Sequence, residues 1–372
     1  MAPVRYHEGR FPPRELDWPR LIPLIGPAAA AVARYDGMLT AVPNPDILLA
    51  PLTTQEAVLS SRIEGTQATM GEVLEFEAGR EDVSPEHRED IREVLNYRAA
   101  MREAERLLDV EQLPLSQRVI CEMHRVLLDG VRGQNKSPGE YRRIPNWIGP
   151  AGCTIEQARF IPIGADKLPD AMGAWEKYLH EDAPDRLIQL AILHAEFEAL
   201  HPFLDGNGRL GRMLVPLFLW QKKLIRRPRF YISAWLEAHR DEYYDSLLAI
   251  SRDDDWTGWC SFFLEAVRTQ AEENLRRTQA ILQLYDTLKL RLPEMTRSQY
   301  AVHALEWLFA HPIFKASDFV QGAGIPEPTA RRFLSVLKEN HIINDLRESS
   351  GRRAAVLAFP ALLAIADGRE GF

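Results

Sequence analysis

Helical periodicity dominates the pattern of hydrophobic and polar positions along this chain. Apolar residues recur at intervals of three and four in two consecutive segments: Ile91, Val94, Leu95, Leu107 and Leu108, then Val119, Ile120, Met123 and Leu127. Gly130 follows the second segment, as expected where a helix stops. A further stripe carries His194 among Leu187, Leu190, Ala191 and Phe197, so we interpret this histidine as a core residue. The pattern predicts a mainly α fold.

The pattern changes after Pro293, where it predicts a helix-turn-helix arrangement followed by a wing. We expect one helix over 296–310, then helices over 315–321 and 329–340 on either side of the turn 322–326. The last of these places four apolar residues on one face: Ala330, Phe333, Leu334 and Leu337. Segments 342–343 and 355–359, separated by 347–353, would form the strands and tip of the wing. Residues 295–365 are therefore predicted to form a winged helix-turn-helix domain.

The charges of this domain leave its partner open. Four arginines could contact DNA phosphates: Arg331, Arg332, Arg352 and Arg353. Three glutamates interrupt any basic stripe: Glu327, Glu339 and Glu348. Protein docking or dimerisation is therefore supported as well as DNA binding.

A hairpin is predicted between residues 146 and 162. Two short apolar segments there flank a turn rich in glycine and proline, the run Gly149-Pro150-Ala151-Gly152. Such a pattern is typical of two strands joined by a loop.

Composition limits the classes of protein that remain. The chain has 372 residues, 46% hydrophobic composition and a net charge of -8, so whole-surface attraction to nucleic acid is not expected. Three scattered cysteines argue against a disulfide framework and a zinc site. The longest apolar run, 213–220, is too short to span a bilayer, and the first residues do not resemble a signal peptide. We therefore expect a cytoplasmic protein without a membrane partner.

The twelve residues HPFLDGNGRLGR, His201–Arg212, carry the candidate chemistry. Gly206 and Gly208 permit positive φ and let backbone N–H groups approach an anion, and the first turn of a following helix leaves its own N–H groups unpaired. Arg209 and Arg212 are three residues apart, so they share a helical face and could grip two successive phosphates. Together these features favour a polyphosphate site.

The same run offers a metal ligand and a base. Asp205 could bind Mg²⁺, which is normally held by one or two carboxylates plus phosphate oxygens and waters. His201 is largely neutral at pH 7 and could accept a proton from an attacking hydroxyl. An ordinary loop and helix start with Asp205 as a cap is the alternative. A calcium-binding EF-hand loop is excluded, because Arg209 and Leu210 stand where it needs Asp or Asn and then Gly.

This run resembles the motif of the Fic proteins, which reads HPF, any residue, Asp or Glu, GNGR, two residues, then Arg. Every specified position matches. The resemblance implies a protein adenylyltransferase, an enzyme that transfers AMP from ATP to a protein hydroxyl and releases pyrophosphate. The implied roles are His201 as general base and Asp205 as Mg²⁺ ligand. The remaining motif residues would bind the nucleotide, with an anion hole at Gly206, Asn207 and Gly208, outer phosphates at Arg209, the γ-phosphate at Arg212, and Leu210 and Gly211 between them.

Upstream, Ser60-Ser61-Arg62-Ile63-Glu64-Gly65 resembles the inhibitory motif of the same family, in the class with an N-terminal inhibitory helix. We expect Glu64 to pair bidentately with Arg212, which would occupy the arginine needed for the γ-phosphate and repel the phosphate. Thr53 and Glu56 have the spacing of a capping box at a helix start. Glu64 would then lie at the end of that helix, just before Gly65. A surface glutamate at a helix end is the alternative.

The resemblance also suggests where the target and the adenine bind. Fic proteins dock an extended target segment on a hairpin flap, here about 146–162, by strand pairing. Tyr243 and Tyr244 lie in the adenine-side region, and adjacent helical positions diverge by about 100°, so one of them faces the base. We choose Tyr244, with His239 as its neighbour, and simple helix packing is equally compatible.

The complete expectation is an autoinhibited enzyme in three parts. Residues 1–85 would form the N-terminal region with the inhibitory helix, 86–285 the Fic core, and 295–365 the winged helix. A homodimer is expected from the family alone. The alternative function is a transcriptional regulator that senses nucleotide through the Fic core and binds DNA through the winged helix. Transfer of another phosphate-containing group is less favoured, because the GNGR segment is intact.

Overall fold

The computed structural model of this protein describes residues 2–80, 82–150, 152–347 and 355–368. Within these ranges the fold is mainly helical, as predicted. The helices before residue 200 are α1 (Trp18–Leu39), α2 (Pro45–Leu48), α3 (Ala50–Ile63), α4 (Met70–Glu77), α5 (Pro85–Glu105), α6 (Gln117–Leu127), α7 (Leu168–His180) and α8 (Arg186–Leu200). Those after it are α9 (Asn207–Gln221), α10 (Ser233–Ala238), α11 (Arg240–Asp253), α12 (Trp256–Thr296), α13 (Ala301–Ala310), α14 (Ala316–Gly322), α15 (Glu327–Glu339) and α16 (Pro360–Asp367).

Short strands accompany the helices. They are β1 (Val4–Arg5), β2 (Phe160–Ile161), β3 (Ile313–Lys315), β4 (Asn344–Arg347) and β5 (Val356–Ala358). The described part of the chain contains no helix with both the length and the apolar character needed to cross a bilayer.

The chain divides into two compact units, each assembled from separate stretches of sequence. The first comprises 1–36, 59–66 and 95–272, and the second comprises 37–58, 67–94 and 273–372. Neither unit coincides with one of the consecutive segments 1–85, 86–285 and 295–365. The three-part division therefore stays a prediction.

Two helices in contact, α8 and α9, lie in the first unit. Both helices are apolar on nearly all sides and both are buried, as expected of helices that lack a polar face. Asp185 starts α8 by accepting hydrogen bonds from the N–H groups of Leu187 and Ile188, at 2.9 Å each. Two tryptophans fix the surroundings of α8, since Trp175 and Trp259 donate their indole N–H groups to its carbonyls. The run His201–Arg212 begins on the short connection between these two buried helices and continues into the first turns of α9.

The periodic segments around 91–108 and 119–127 are helical as predicted. The predicted helix start at Thr53 was wrong. The proposed capping box at Thr53 does not exist, because α3 already begins at Ala50 and the Thr53 hydroxyl donates to the Leu49 carbonyl at 3.3 Å. Pro51 suits the first turn of that earlier start. The prediction that Glu64 follows the end of a helix is confirmed, since α3 ends at Ile63.

The two arms of the predicted hairpin approach each other at a single antiparallel bridge between Ile148 and Phe160. The longer pairing of β2 is with β1, in parallel register, from Val4 opposite Phe160 to Arg5 opposite Ile161. A 3-10 turn over Ile155–Gln157 lies between the arms. Ala151, at the tip of the predicted turn, lies outside the described residues.

In the second unit, α13, α14 and α15 accompany a three-stranded antiparallel sheet in the order β3-β5-β4. The four predicted inward residues of α15 are all buried. The helix predicted over 296–310 exists, but its predicted start was wrong. The preceding α12 continues through Pro293 to Thr296, and α13 starts at Ala301. Arg297 interrupts the two with a positive φ of 48°.

The strand boundaries and the charged residues of this unit also differ from expectation. Residues 342–343 are buried but precede β4 rather than form it. Arg331 pairs with Glu327 at 2.7 Å, and Arg332 donates to the Thr296 carbonyl at 2.6 Å. Arg352, Arg353 and Glu348 lie outside the described residues.

Candidate active site

His201 lies immediately after the last residue of α8 and has a positive φ of 46°. Its N–H still donates to the Phe197 carbonyl at 3.1 Å, so it closes the helix. Pro202 follows it, and a residue before proline is kept out of the helical conformation. The local sequence thus ends α8 just before His201, and the His201 side chain lines a cavity.

Arg142, a residue without any sequence motif, holds the end of α8 in place. It is buried, and its Nε donates to the His201 carbonyl at 2.9 Å while Nη2 donates to the Leu200 carbonyl at 3.2 Å. Its backbone N–H bonds to the Pro202 carbonyl at 2.9 Å. Burial lowers the pKa of Arg142 to about 10, so it remains a cation at neutral pH. A fixed cation therefore satisfies the carbonyls that a helix end leaves unpaired.

Asn207 closes the turn between the two central helices. Its Oδ1 accepts the Phe203 N–H at 2.8 Å, and its Nδ2 donates to the Phe203 carbonyl at 2.9 Å. The side chain is buried, and these bonds use its carbonyl oxygen and one of its two Nδ2 hydrogens. The backbone N–H of Asn207 lies in the first turn of α9, where it can serve an anion.

His124 supports the same turn from α6, and the sequence did not reveal this role either. Its Nδ1 accepts the Gly139 N–H at 2.8 Å, so its proton is on Nε2, which donates to the Asp205 carbonyl at 3.1 Å. Its ring stacks on Phe203 with centroids 3.8 Å apart. Burial lowers the pKa of His124 to about 4, so the ring is neutral. Its polar character on an otherwise apolar helix face was the only signal in the sequence.

The start of α9 is shaped to receive an anion. Gly206 has a φ of 79° and caps the helix. A Cβ atom on Gly208 would lie 2.2 Å from Oε1 of Glu64 and 3.0 Å from Nη1 of Arg212. The Glu64 carboxylate thus lies directly against the first turn of α9, where unpaired N–H groups attract negative charge. An internal carboxylate occupies the predicted anion site.

Arg212 is gripped by the end of α3. Its side chain is 1% exposed, and Nη2 donates to Oε1 of Glu64 at 2.7 Å. Nε donates to the Ser60 hydroxyl at 2.8 Å, and Nη2 also reaches the Ser60 carbonyl at 2.8 Å. The expected bidentate pairing was therefore wrong, because Glu64 offers one oxygen and Ser60 provides the other acceptors. The Ser60 carbonyl is available because it lies in the last turn of α3.

The charges of this pair stabilise each other. Burial opposes ionisation of Glu64, but Arg212, with smaller contributions from Arg209 and His201, lowers its pKa below the usual range. Glu64 in turn raises the pKa of Arg212 despite its burial. Both groups are therefore charged at neutral pH, and 35% of the Glu64 side chain remains exposed to solvent.

Arg209 and Asp205 form a second, neighbouring pair. Nη2 of Arg209 lies 3.2 Å from Oδ1 of Asp205, and the Asp205 side chain is 38% exposed. A Cβ atom on Gly133 would lie 2.8 Å from Oδ2 of Asp205, so Gly133 leaves room beside this carboxylate. The described residues contain no group of three or more His, Cys, Asp or Glu suited to a metal ion. One accessible carboxylate fits Mg²⁺ only where phosphate oxygens and waters supply the other ligands.

A cavity of about 420 Å³ adjoins these groups. Its lining combines charged groups with an apolar wall, and comprises Glu64, Ile148, Gly149, Pro150, Arg159, Phe160, Ala195, Glu198, Ala199, His201, Gly208, Arg212, Arg240, Tyr244, Leu247 and Leu248. Burial lowers the pKa of His201 to about 4, against an opposing effect of Glu64. Its imidazole is thus neutral at pH 7 and able to accept a proton.

Tyr244 and Tyr243 face different surroundings, as adjacent helical residues must. Tyr244 lines the cavity, whereas the buried Tyr243 bonds through its hydroxyl to Nε2 of His194 at 2.8 Å. Nδ1 of His194 lies 3.1 Å from the Gly211 carbonyl, so this histidine belongs to the core as predicted. His239 instead stacks on Trp235, with centroids 4.1 Å apart.

The other predicted positions act through the backbone or through their small size. Leu210 is fully buried in the core. Gly211 leaves space for a carboxylate of α8, since a Cβ there would lie 2.3 Å from Oε1 of Glu198. Gly65 follows Glu64 with a φ of 103°, a conformation suited to glycine at a helix end.

Two family models match this chain. The Fic/DOC family N-terminal model matches residues 22–106, and the Fic/DOC family model matches residues 114–219. The protein adenylyltransferase Fic of Drosophila grimshawi is 28% identical over 163 residues, which is 42% of this chain and 31% of that protein. Its namesake in Drosophila virilis is 24% identical over 255 residues, or 67% of this chain and 47% of that protein. The chain thus spans less than half of the length of these relatives.

Solved structures resemble the fold over most of the chain. A Fic family protein from Desulfovibrio desulfuricans G20 has a TM-score of 0.60 at 20% identity, and the match covers 93% of this chain and 98% of that one. Fic-1 from C. elegans has a TM-score of 0.54 at 20% identity and covers 72% of this chain and 75% of that one. At such identities the likeness shows the fold alone.

Proposed function

This chain is a Fic-domain protein, and we propose that it is a protein adenylyltransferase that transfers AMP from ATP to a hydroxyl of a target protein. The observation that carries the proposal is the Glu64 carboxylate, which lies against the first turn of α9 and binds Arg212 at 2.7 Å. A site that holds an internal anion between a helix N-terminus and a buried arginine is chemically suited to phosphate. Relatives named protein adenylyltransferase share its sequence at 24–28% identity.

The reaction follows from the residues of the cavity. The target hydroxyl attacks the α-phosphorus of ATP, a new oxygen–phosphorus bond forms, and the bond to the pyrophosphate leaving group breaks. Neutral His201 accepts the hydroxyl proton. Backbone N–H groups of the first turn of α9 stabilise the negative charge of the phosphate that is attacked.

Positively charged groups would hold the leaving phosphates. Arg212 is assigned to the γ-phosphate, and Arg209 to the outer phosphates beside Asp205. Mg²⁺ bound by Asp205 and phosphate oxygens would neutralise charge on the triphosphate. Tyr244 lines the apolar part of the cavity and is assigned to stacking on adenine.

Glu64 is proposed to be an internal brake. It occupies the two features that the triphosphate needs, the start of α9 and the guanidinium of Arg212. Productive ATP binding therefore requires Glu64 to leave. Its partly exposed position after α3 gives it a path toward solvent.

The target segment is proposed to dock at residues 146–162, the flap. Ile148 and Phe160 belong to the cavity lining that also includes His201. Since β1 pairs with β2 and Ile148 pairs with Phe160, an added strand would use the other edge of the Ile148 arm.

A second candidate function is nucleotide-sensing regulation of transcription. It is favoured by α13, α14, α15 and the three-stranded antiparallel sheet, which suit a winged helix-turn-helix domain. We assign DNA binding to this arrangement only if specific duplex DNA binds with the strong salt dependence of phosphate contacts.

The experiment that tests the proposed chemistry uses ATP labelled at either the α- or the γ-phosphorus. Glu64→Gly protein is incubated with each label, Mg²⁺ and a cell lysate, and proteins are separated under denaturing conditions. Because lysate kinases also label proteins from the γ position, each result is compared with lysate incubated without the protein. AMP transfer predicts additional protein-bound label from the α position only. Additional label from the γ position would instead show phosphoryl transfer and overturn the proposal.

A further inference from the structure

Glu198 is a carboxyl group in the cavity to which the proposed reaction gives no role. It lies in the last turn of α8, three residues before His201, and lines the same cavity as Glu64 and Arg212. Its Oε1 is inaccessible to solvent and has no hydrogen-bond partner among the described residues. A buried acceptor without a partner is costly, so such an atom calls for a ligand or a proton.

The fold makes space for this carboxyl group. A Cβ on Gly211 would lie 2.3 Å from Oε1 and 3.2 Å from the carboxyl carbon of Glu198. Glycine in the middle of a helix is less favourable than alanine. Gly211, the residue before Arg212, therefore permits the Glu198 carboxyl group to pack against α9.

The groups that face Glu198 come from each neighbouring element. Arg212 of α9 favours the charged form, Glu64 after α3 opposes it, and the Tyr243 hydroxyl of α11 favours it. Burial is the largest effect, and the net result is a pKa of about 7 for Glu198.

Two other titratable groups of the cavity, His201 and Tyr244, do not change charge near neutral pH. His201 has a pKa of about 4, and burial raises the pKa of Tyr244 to about 12. Arg240 lines the cavity and faces Tyr244, with its guanidinium 5.7 Å from the ring centre.

We propose that Glu198 is a nucleotide-contacting residue that donates its carboxyl proton to an outer phosphate oxygen beside Arg212. The inference rests on the proposed function, because it takes the cavity as the triphosphate site. A carboxylate and a phosphate in contact cannot both remain ionised without strong repulsion. Neutral Glu198 removes that repulsion and adds a hydrogen bond. ATP replaces Glu64 as the neighbouring anion, so the proton stays on Glu198 in the complex.

A purely electrostatic role would require the opposite protonation state of Glu198. If Glu198 served only as a counter-charge for Arg212, it would have to be ionised when ATP binds. Its replacement by neutral glutamine would then weaken binding at every pH. In the proposed role, glutamine keeps a donor near the phosphate and removes only the pH dependence.

The test is calorimetric titration of Mg²⁺ and α,β-methylene-ATP, an analogue that cannot transfer AMP, into Glu64→Gly and Glu64→Gly/Glu198→Gln proteins between pH 6.5 and 8.5. Buffers of different ionisation enthalpy report the protons taken up on binding. The first protein is expected to take up close to one proton above pH 7 and to lose about fivefold to tenfold in affinity per pH unit. The second should bind with little pH dependence. Titration of the nucleotide itself is common to both proteins and cancels in the comparison.

Equal pH slopes and equal proton uptake in the two proteins would overturn the proposal, as would loss of binding at every pH in the glutamine variant. Thermal unfolding of both proteins checks that the variant folds. Gly211→Ala in the Glu64→Gly background is a second variant, because its Cβ displaces the Glu198 carboxyl group, and it should also flatten the pH profile. Binding is measured without transfer, so a protein that binds ATP but transfers no AMP refutes the proposed function while the pH slope still decides this inference.

Discussion

The Ser60 hydroxyl is predicted to contribute directly to holding Arg212. It accepts a hydrogen bond from Nε of Arg212 at 2.8 Å, and both residues are buried. Ser60→Ala removes the acceptor and leaves a charged N–H group buried without this partner. Hydrogen bonds to charged groups contribute about 1.5–3 kcal/mol, and we expect the free energy of unfolding to fall by that amount.

Ser61→Ala is the matched control. Ser61 lies next to Ser60 on α3 and is equally buried, but its hydroxyl has no hydrogen-bond partner among the described residues. Its replacement should change the free energy of unfolding by less than about 0.5 kcal/mol, or increase it.

Differential scanning calorimetry can separate the two variants. A change of 1 kcal/mol shifts the melting temperature of a unit of 150–250 residues by roughly 2–4 °C, so Ser60→Ala should melt several degrees below Ser61→Ala. In the Glu64→Gly background, Ser60→Ala should also raise the Kd for ATP, because Arg212 is less firmly placed. Equal melting temperatures for the two alanine variants would refute the role assigned to Ser60.

Two further predictions concern the base side of the cavity and acid stability. Tyr244→Ala should raise the KM for ATP about 5–150-fold through lost stacking of about 1–3 kcal/mol. His239→Ala should change the KM little, because His239 stacks on Trp235, and equal effects of the two variants in a steady-state assay would contradict this. The folded-state pKa values of His124 and His194 are about 4 and about 3, below their unfolded value near 6.5, so the unfolded state binds protons first as pH falls. The free energy of unfolding should therefore decline below pH 6.5 by up to roughly 3 kcal/mol per pH unit. Urea unfolding that gave the same free energy of unfolding at pH 7, 6 and 5 would refute this prediction.

The sequence was most informative where chemistry depends on a continuous run of residues. The roles proposed for His201 to Arg212 rest on the amino-acid order alone, and the structure brings those groups together because a loop and a helix start are local features. Glu64 was also found, since its motif is short and continuous. The geometry of the contact between Glu64 and Arg212 was not predicted from the sequence. Ser60 contributes a backbone carbonyl to it, and the availability of that carbonyl depends on where α3 ends.

Supporting residues from distant parts of the chain could not be predicted. Arg142 and His124 act through hydrogen bonds to carbonyls of the active-site loop, and nothing in their own neighbourhoods indicates that partner. Asn207 was assigned to the nucleotide by its motif, yet its side chain is used to close the turn. Helix limits also differed, because a helix was predicted to start at residue 296, after Pro293, whereas α12 continues to Thr296 and α13 starts at Ala301.

The central claim is that the protein transfers AMP with His201 as the general base, and that Glu64 restrains this activity. Intact-protein mass spectrometry tests both after incubation with ATP and Mg²⁺, alone and with a cell lysate, of wild type, Glu64→Gly and Glu64→Gly/His201→Ala. The account predicts added AMP, on the chain itself or on lysate proteins, for Glu64→Gly, much less for wild type, and none for the double variant. A Glu64→Gly protein that binds ATP yet modifies no protein, or a double variant that modifies as much as Glu64→Gly, would contradict it.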